Sequence, residues 1–162
     1  MHREAWKRGL KVLCLVIAGA LVGWWFLHPR PSDRELIEEL VAKAEHGIEA
    51  KSTKEIMECL ATDYQDEEGL SRGDIFRLAW RWERSPARAD IVIEDHQVDI
   101  ISPRASGDFP VQVLLEEEGQ HYPPLRFDLE VEFEKQRRGW HKVWLVKAVN
   151  GHGLEKGFED FL

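Results

Sequence analysis

Leu125-Arg126-Phe127-Asp128-Leu129-Glu130-Val131-Glu132-Phe133-Glu134 alternates apolar and charged residues without interruption. Successive side chains of a strand point to opposite faces, so this stretch is a strand with one buried face and one wet, mostly acidic face. Such a strand belongs to an antiparallel sheet covered on one side only. Working outward, Phe109, Val111, Val113 and Leu115 repeat the alternation upstream, and Pro103 to Asp108 read as the turn before them. Ile91 to Ser102 reads as one earlier strand, in which the apolar parity shifts, the mark of a bulge. Downstream, Gln136-Arg137-Arg138-Gly139 reads as a hairpin turn into a last strand from Trp140 to Val149, apolar on both faces in places.

Before Pro86 the period changes from two to that of a helix. Ser32-Asp33-Arg34-Glu35, Ser52-Thr53-Lys54-Glu55 and Ser71-Arg72-Gly73-Asp74 each place a hydroxyl and, three residues on, a carboxylate where the first turn of a helix has unsatisfied N–H groups. Apolar stripes follow each one: Leu36, Ile37, Leu40, Val41, Ala44 and Ile48; Ile56, Met57 and Leu60; Ile75, Leu78, Ala79 and Trp82. Three helices followed by a meander of about four strands is an α+β domain.

The first 27 residues are of a different kind. Val12 to Leu27 carries no charge, which makes it a transmembrane signal anchor near the lower length limit for crossing a bilayer. Trp24 and Trp25 stand at one end and a basic segment, residues 1–11, at the other. The positive-inside rule then puts residues 1–11 in the cytoplasm and the rest across a bacterial inner membrane, in the periplasm. Pro29 and Pro31 make residues 28–32 a short, stiff stalk, and residues 33–162 form the domain. The lipid bilayer is thus the first expected partner. Through Leu27 the chain carries +3; since the whole carries −8, residues 28–162 carry −11. That excess of negative charge disfavours nucleic acid as a partner and opposes lying flat on an anionic membrane. Cys14 falls in the anchor and Cys59 in an apolar helical pattern, so no disulfide forms within the domain and Cys59 reads as a small core residue.

The junction Ala61-Thr62-Asp63-Tyr64-Gln65-Asp66-Glu67-Glu68-Gly69-Leu70-Ser71-Arg72-Gly73-Asp74-Ile75 joins the second helix to the third. Its Asp63-Tyr64 exit, its Gly69-Leu70-Ser71-Arg72 start and the later Gly139-Trp140…Val143, set on this order of elements, resemble the nuclear transport factor 2-like superfamily. That is the cone-shaped fold of ketosteroid isomerase and polyketide cyclase-like proteins, and the chain looks similar to its membrane-anchored bacterial members. The resemblance covers about residues 33–150. It implies a curved sheet wrapped around helices, a pocket, and in many members dimerisation through the sheet. Fold alone does not choose a function.

Asp63 and Tyr64 are the candidate catalytic pair, because a tyrosine hydroxyl beside a carboxylic acid can stabilise an enolate. No second acid or base is spaced to complete such a site, so packing of Tyr64 in the core is the preferred account. Asp66-Glu67-Glu68 lacks the alternating oxygen ligands of a calcium loop, and His96, His121 and His141 show no metal spacing. His96 and Asp99, an odd number of residues apart, face one pocket only across a bulge. Tyr64, Trp80, Trp140 and Trp144 are the candidates for a pocket lining: Trp80 and Trp82 stand about 200° apart on their helix, whereas Trp140 and Trp144 share a strand face. No motif asks for a cofactor. The expectation is a membrane-tethered, extracytoplasmic binding or scaffold module without catalysis, partnered by a second copy or another envelope protein. The alternative is an isomerase- or cyclase-like enzyme, or a carrier, holding a small apolar ligand in the cone.

Overall fold

The computed structural model describes residues 31–152. The anchor at 12–27, the basic segment before it and most of the stalk lie outside the described residues, as does the segment 153–162. Among the described residues no helix is long and apolar enough to cross a membrane.

The three helices stand where the serine caps put them: α1 Asp33–Glu49, α2 Thr53–Cys59 and α3 Arg72–Arg84. The Ser52 hydroxyl accepts from the Glu55 N–H at 3.3 Å, and the Ser71 N–H donates to the Asp74 carboxylate at 2.9 Å. Six strands follow: β1 Arg88–Ile93, β2 Gln97–Ile101, β3 Arg104–Glu117, β4 Gln120–His121, β5 Leu125–Arg138 and β6 His141–His152. They form one antiparallel sheet in the order β1-β3-β5-β6, with β2 and β4 also paired to β3.

Three readings of the sheet are corrected. The stretch from Ile91 to Ser102 is two strands along the same side of β3, and with the short β4 this gives six strands where about four were expected. Ile93 pairs with Val111 and Gln97 with Asp108, so the chain uses one residue more than its partner between them. That surplus residue is the source of the parity shift. The turn placed at Pro103 to Asp108 is instead two residues, Ser102-Pro103 with a cis peptide bond, because Ile101 already pairs with Arg104. The last hairpin turns at Gly139-Trp140, two residues later than read. Arg137 and Arg138 stay in the ladder opposite Lys142 and His141, and Gly139 takes the positive φ (61°) that a tight hairpin turn requires.

The buried face of the sheet meets the helices in one core. Phe109, Val111, Val113, Phe127, Val131 and Phe133 from the alternating strands pack with Ile37 and Leu40 of α1, Cys59 and Leu60 at the end of α2, and Trp82 of α3. Cys59 is buried as a core residue, and its thiol is pushed up by that burial. Trp82 donates its indole N–H to the Ile48 carbonyl at 2.7 Å, which ties α3 to α1. Other segments bond to part of each edge of the sheet. The Glu49 carboxylate accepts from the Ile91 N–H of β1 at 2.9 Å. Beyond β6 the chain from Leu60 to Gln65 runs alongside, with the Ala61 N–H donating to the Val146 carbonyl and the Gln65 N–H to that of Lys147.

Candidate functional site

The segment after α2 carries the pair that chemistry would need, so its geometry decides what the cone can do. Leu60 and Gln65 each bridge to a neighbouring segment, and between them Thr62 and Asp63 form a turn in which the Tyr64 N–H donates to the Ala61 carbonyl at 3.3 Å. At the turn Asp63 is exposed, and the Tyr64 that follows it is buried. The Asp63 side chain is 60% exposed and forms an ion pair with Lys147. Gln136 donates to it at 2.7 Å, and Lys147 also donates to the Asp63 carbonyl at 2.8 Å. The bond from Lys147, followed by that from Gln136, holds the Asp63 carboxyl below its ordinary value. Lys147 reaches it because of a bulge: Glu132 pairs with Ala148 and Phe133 with Val146, so Lys147 is the extra residue of β6.

Tyr64 is 5% exposed and belongs to the core. Its hydroxyl donates to Asp66 at 3.4 Å. Burial first, and then the Asp66 charge, push its ionisation well above the usual phenol range. The same Asp66 accepts from the Leu70 N–H at 2.7 Å, and the Glu67 N–H donates to the Asn150 side chain at 3.2 Å. The acidic run 66–68 is therefore a turn closed on itself. Among the described residues no group of His, Cys, Asp and Glu is arranged to hold a metal ion.

The tryptophans separate as well. Trp144 is buried in the core and donates its indole N–H to Asp33 at 3.2 Å. The same carboxylate accepts from Lys135 at 2.6 Å, and Lys135 also lies over the Trp144 ring at 5.3 Å. These contacts fasten the start of α1 to β5 and β6. The bonds from Lys135 and then Trp144 hold Asp33 low. Trp140 does not share a strand face with Trp144: it occupies the hairpin turn and is 92% exposed. Trp80 and Trp82 do face apart, Trp82 into the core and Trp80 outward with the Arg84 guanidinium 3.6 Å over its ring. Tyr64, Trp80, Trp140 and Trp144 thus line no common pocket. His96 stacks on Phe109 at 4.6 Å, while Asp99 stands exposed opposite Ser106, so these two are not brought together.

Concavities lie on the surface. A groove of ≈ 760 Å³ runs between α2, α3 and the end of β5, with Met57, Arg72, Phe76 and Arg138 among its walls. Another of ≈ 400 Å³ crosses β2, β3 and β5 beside Asp99, Arg104 and Glu132. Phe76 and Trp80, one helical turn apart, form an exposed aromatic edge of α3. The sequence flagged Trp80 but missed Phe76. The signal for it was its i, i+4 spacing from Trp80, beside the Ala79 and Trp82 stripe of α3.

No protein-family model and no curated protein matches the chain. Solved structures do. A nuclear transport factor 2-like protein from Cytophaga hutchinsonii is similar at a TM-score of 0.59 and 13% identity, over 75% of this chain and 98% of that one. A hexachlorocyclohexane dehydrochlorinase, LinA type 3, from Novosphingobium barchaimii gives 0.59 and 18%, over 74% and 84%. A protein of unknown function from Mycobacterium tuberculosis gives 0.59 and 16%, over 72% and 73%. At such identities the likeness establishes the fold, and these neighbours include both an enzyme and proteins of unknown activity.

Proposed function

We propose that this chain, whose described residues have the nuclear transport factor 2-like cone fold, is a membrane-tethered, extracytoplasmic binding or scaffold module that works through its surface. The observation that carries this reading is the filling of the cone. Phe109, Phe133, Phe127, Tyr64 and Trp144 occupy the interior, and the one candidate polar pair is split between an ion pair outside and a bonded hydroxyl within. Chemistry on a bound substrate needs polar groups converging on a shared space. A binding module needs exposed anchors, and Phe76 with Trp80 on α3 supplies the residue type that carries interface energy. The uncharged run at residues 12–27 supports the tether, and the basic residues before it support the orientation.

Two measurements on the full chain test this. A reporter enzyme active only outside the cytoplasm, fused after residue 162, should be active, and a silent fusion refutes the topology. The chain purified from membranes in mild detergent should self-associate or bring an envelope protein with it, and Trp80→Ala with Phe76→Ala should weaken that association at least tenfold. A strictly monomeric chain that captures nothing refutes the binding role.

A further inference from the structure

Among the described residues, an exposed combination of positive charge and aromatic surface lies at the tip of the β5–β6 hairpin. Arg137, Arg138, Gly139, Trp140, His141 and Lys142 are consecutive and all exposed. Three fixed positive charges therefore flank an indole that is 92% open to solvent, on a domain region carrying −11 overall. Arg137 turns its Nε–H back to the Gly139 carbonyl at 3.1 Å, which stiffens the turn. Arg138 shares a groove with Glu58 and Glu83, and Glu58 is itself engaged by Lys43 at 2.7 Å and Lys54 at 3.9 Å. A fully exposed tryptophan serves no fold: it forfeits the burial for which so large a ring is ordinarily kept.

The tip also lies near the point where the chain enters the domain. Asp33, the first residue of α1, is bonded to Lys135 of β5, and Trp140 comes five residues after Lys135. Five residues of strand cover about 16 Å. Five residues of a proline-rich segment in general span about the same distance.

We propose that this hairpin tip docks on the headgroup layer of an anionic bilayer, with Trp140 in the interface and Arg137, Arg138 and Lys142 on lipid phosphates. The proposal rests on the tethered reading above, which holds the tip within reach of the lipid. Indole rings favour the headgroup level, and each basic side chain near an anionic surface adds attraction worth about fivefold in binding. The acidic remainder of the domain is repelled by the same surface. The tip therefore fixes which end of the domain faces the membrane.

The test uses the full chain with two kinds of vesicle, phosphatidylcholine alone and phosphatidylcholine with about a third phosphatidylglycerol. Both carry brominated acyl chains, which quench indole emission on contact. The Trp140 signal is the difference between wild type and Trp140→Phe. The expected result is flotation with both vesicle types, with Trp140 quenched in the anionic one and several-fold less in the neutral one. R137Q/R138Q should lower that quenching toward the level seen with neutral vesicles, and added salt should do the same. These side chains are exposed, so circular dichroism should stay unchanged and exclude misfolding. A chain that floats while its Trp140 emission in anionic vesicles escapes the bromines overturns the tip proposal and leaves the tether standing. A Trp140 signal that depends on protein concentration but not on bromine overturns it in favour of a protein contact. Failure to float with neutral vesicles refutes the tether instead. The tip must then carry the chain to anionic vesicles at low salt, and absence of binding there overturns the tip as well.

Discussion

Phe133→Ala measures whether the cone is filled. Phe133 is 1% exposed, and its ring meets that of Phe109 edge-on at 6.0 Å and 67°. Removing a fully buried phenyl group forfeits about 2–3 kcal/mol of transfer free energy. The space left, on the order of 100 Å³ if the surroundings hold, costs about 24 cal/mol per Å³, or some 2 kcal/mol. Loss of the edge contact with Phe109 adds about 1 kcal/mol, partly counted already. The expected destabilisation is therefore about 4 kcal/mol, within the range of 3–5 typical of such truncations. Urea unfolding of the full chain in mild detergent, followed by tryptophan emission, should show a midpoint lower by about 2 M at an unchanged slope. Were the cone an open, watered pocket at this point, the alanine would leave no new cavity and the ring would already be partly wet. A loss below about 1.5 kcal/mol would refute the packed interior, and with it the argument that the chain acts from its surface.

Two further outcomes follow from local geometry. A Cβ on Gly107 would stand 2.7 Å from the Gln97 carbonyl oxygen and 2.9 Å from the Phe109 ring, where β2 crosses β3. Gly107→Ala should therefore cost about 1–3 kcal/mol by overpacking, and a neutral or stabilising effect in the same urea assay would mean that β2 lies farther from β3. Asp33 is held below its ordinary 3.8 by the bonds from Lys135 and then Trp144. A carboxylate with a depressed folded pKa contributes stability that is complete above the unfolded value and is lost as pH falls through the folded one. Wild type should thus lose stability from about pH 4 downward by an increment that Asp33→Asn lacks. At neutral pH the variant should be weaker by about 1 kcal/mol or less, because both partners are partly exposed. Superimposable stability profiles for the two chains between neutral and acid pH would dispose of this ion pair as a contributor.

The features that the sequence disclosed are those set by neighbours along the chain. The hydroxyl of Ser52 and the backbone N–H of Ser71 each bond within their own first turn, so no distant residue is needed to recognise those helix starts. The alternation of β5 likewise follows from residues two apart. Shifts of register were harder to place. One surplus residue between Ile93 and Gln97 appears in the sequence only as a change of apolar parity, and it splits a strand. A second, at Lys147, has no such mark, because β6 is apolar on both sides around it; yet it brings the ammonium to Asp63 and removes that carboxylate from any interior role. A displacement of two residues in the last hairpin moved Trp140 from a strand face to the tip. The candidate site thus dissolved for reasons that reside in pairing between strands.

Those same shifts place the chain's polar chemistry outside the cone. With the interior apolar and Asp63 committed to Lys147, selectivity must come from the distribution of surface charge. A region carrying −11 is repelled as a whole by phosphate-bearing surfaces. A local cluster of Arg137, Arg138 and Lys142 is attracted by them, and within a screening length of about 8 Å the near charges outweigh the distant ones. Opposed forces of this kind produce orientation more than affinity. On the proposed tether, the domain would need little additional affinity. On that proposal, what the hairpin would add is a preferred pose, with the aromatic edge of α3 held at a defined angle to the membrane. Reversing the tip's charges, Arg137→Glu with Arg138→Glu, should therefore leave the chain in the membrane and yet lower capture of a partner through Phe76 and Trp80. Unchanged capture would show that the two surfaces work independently.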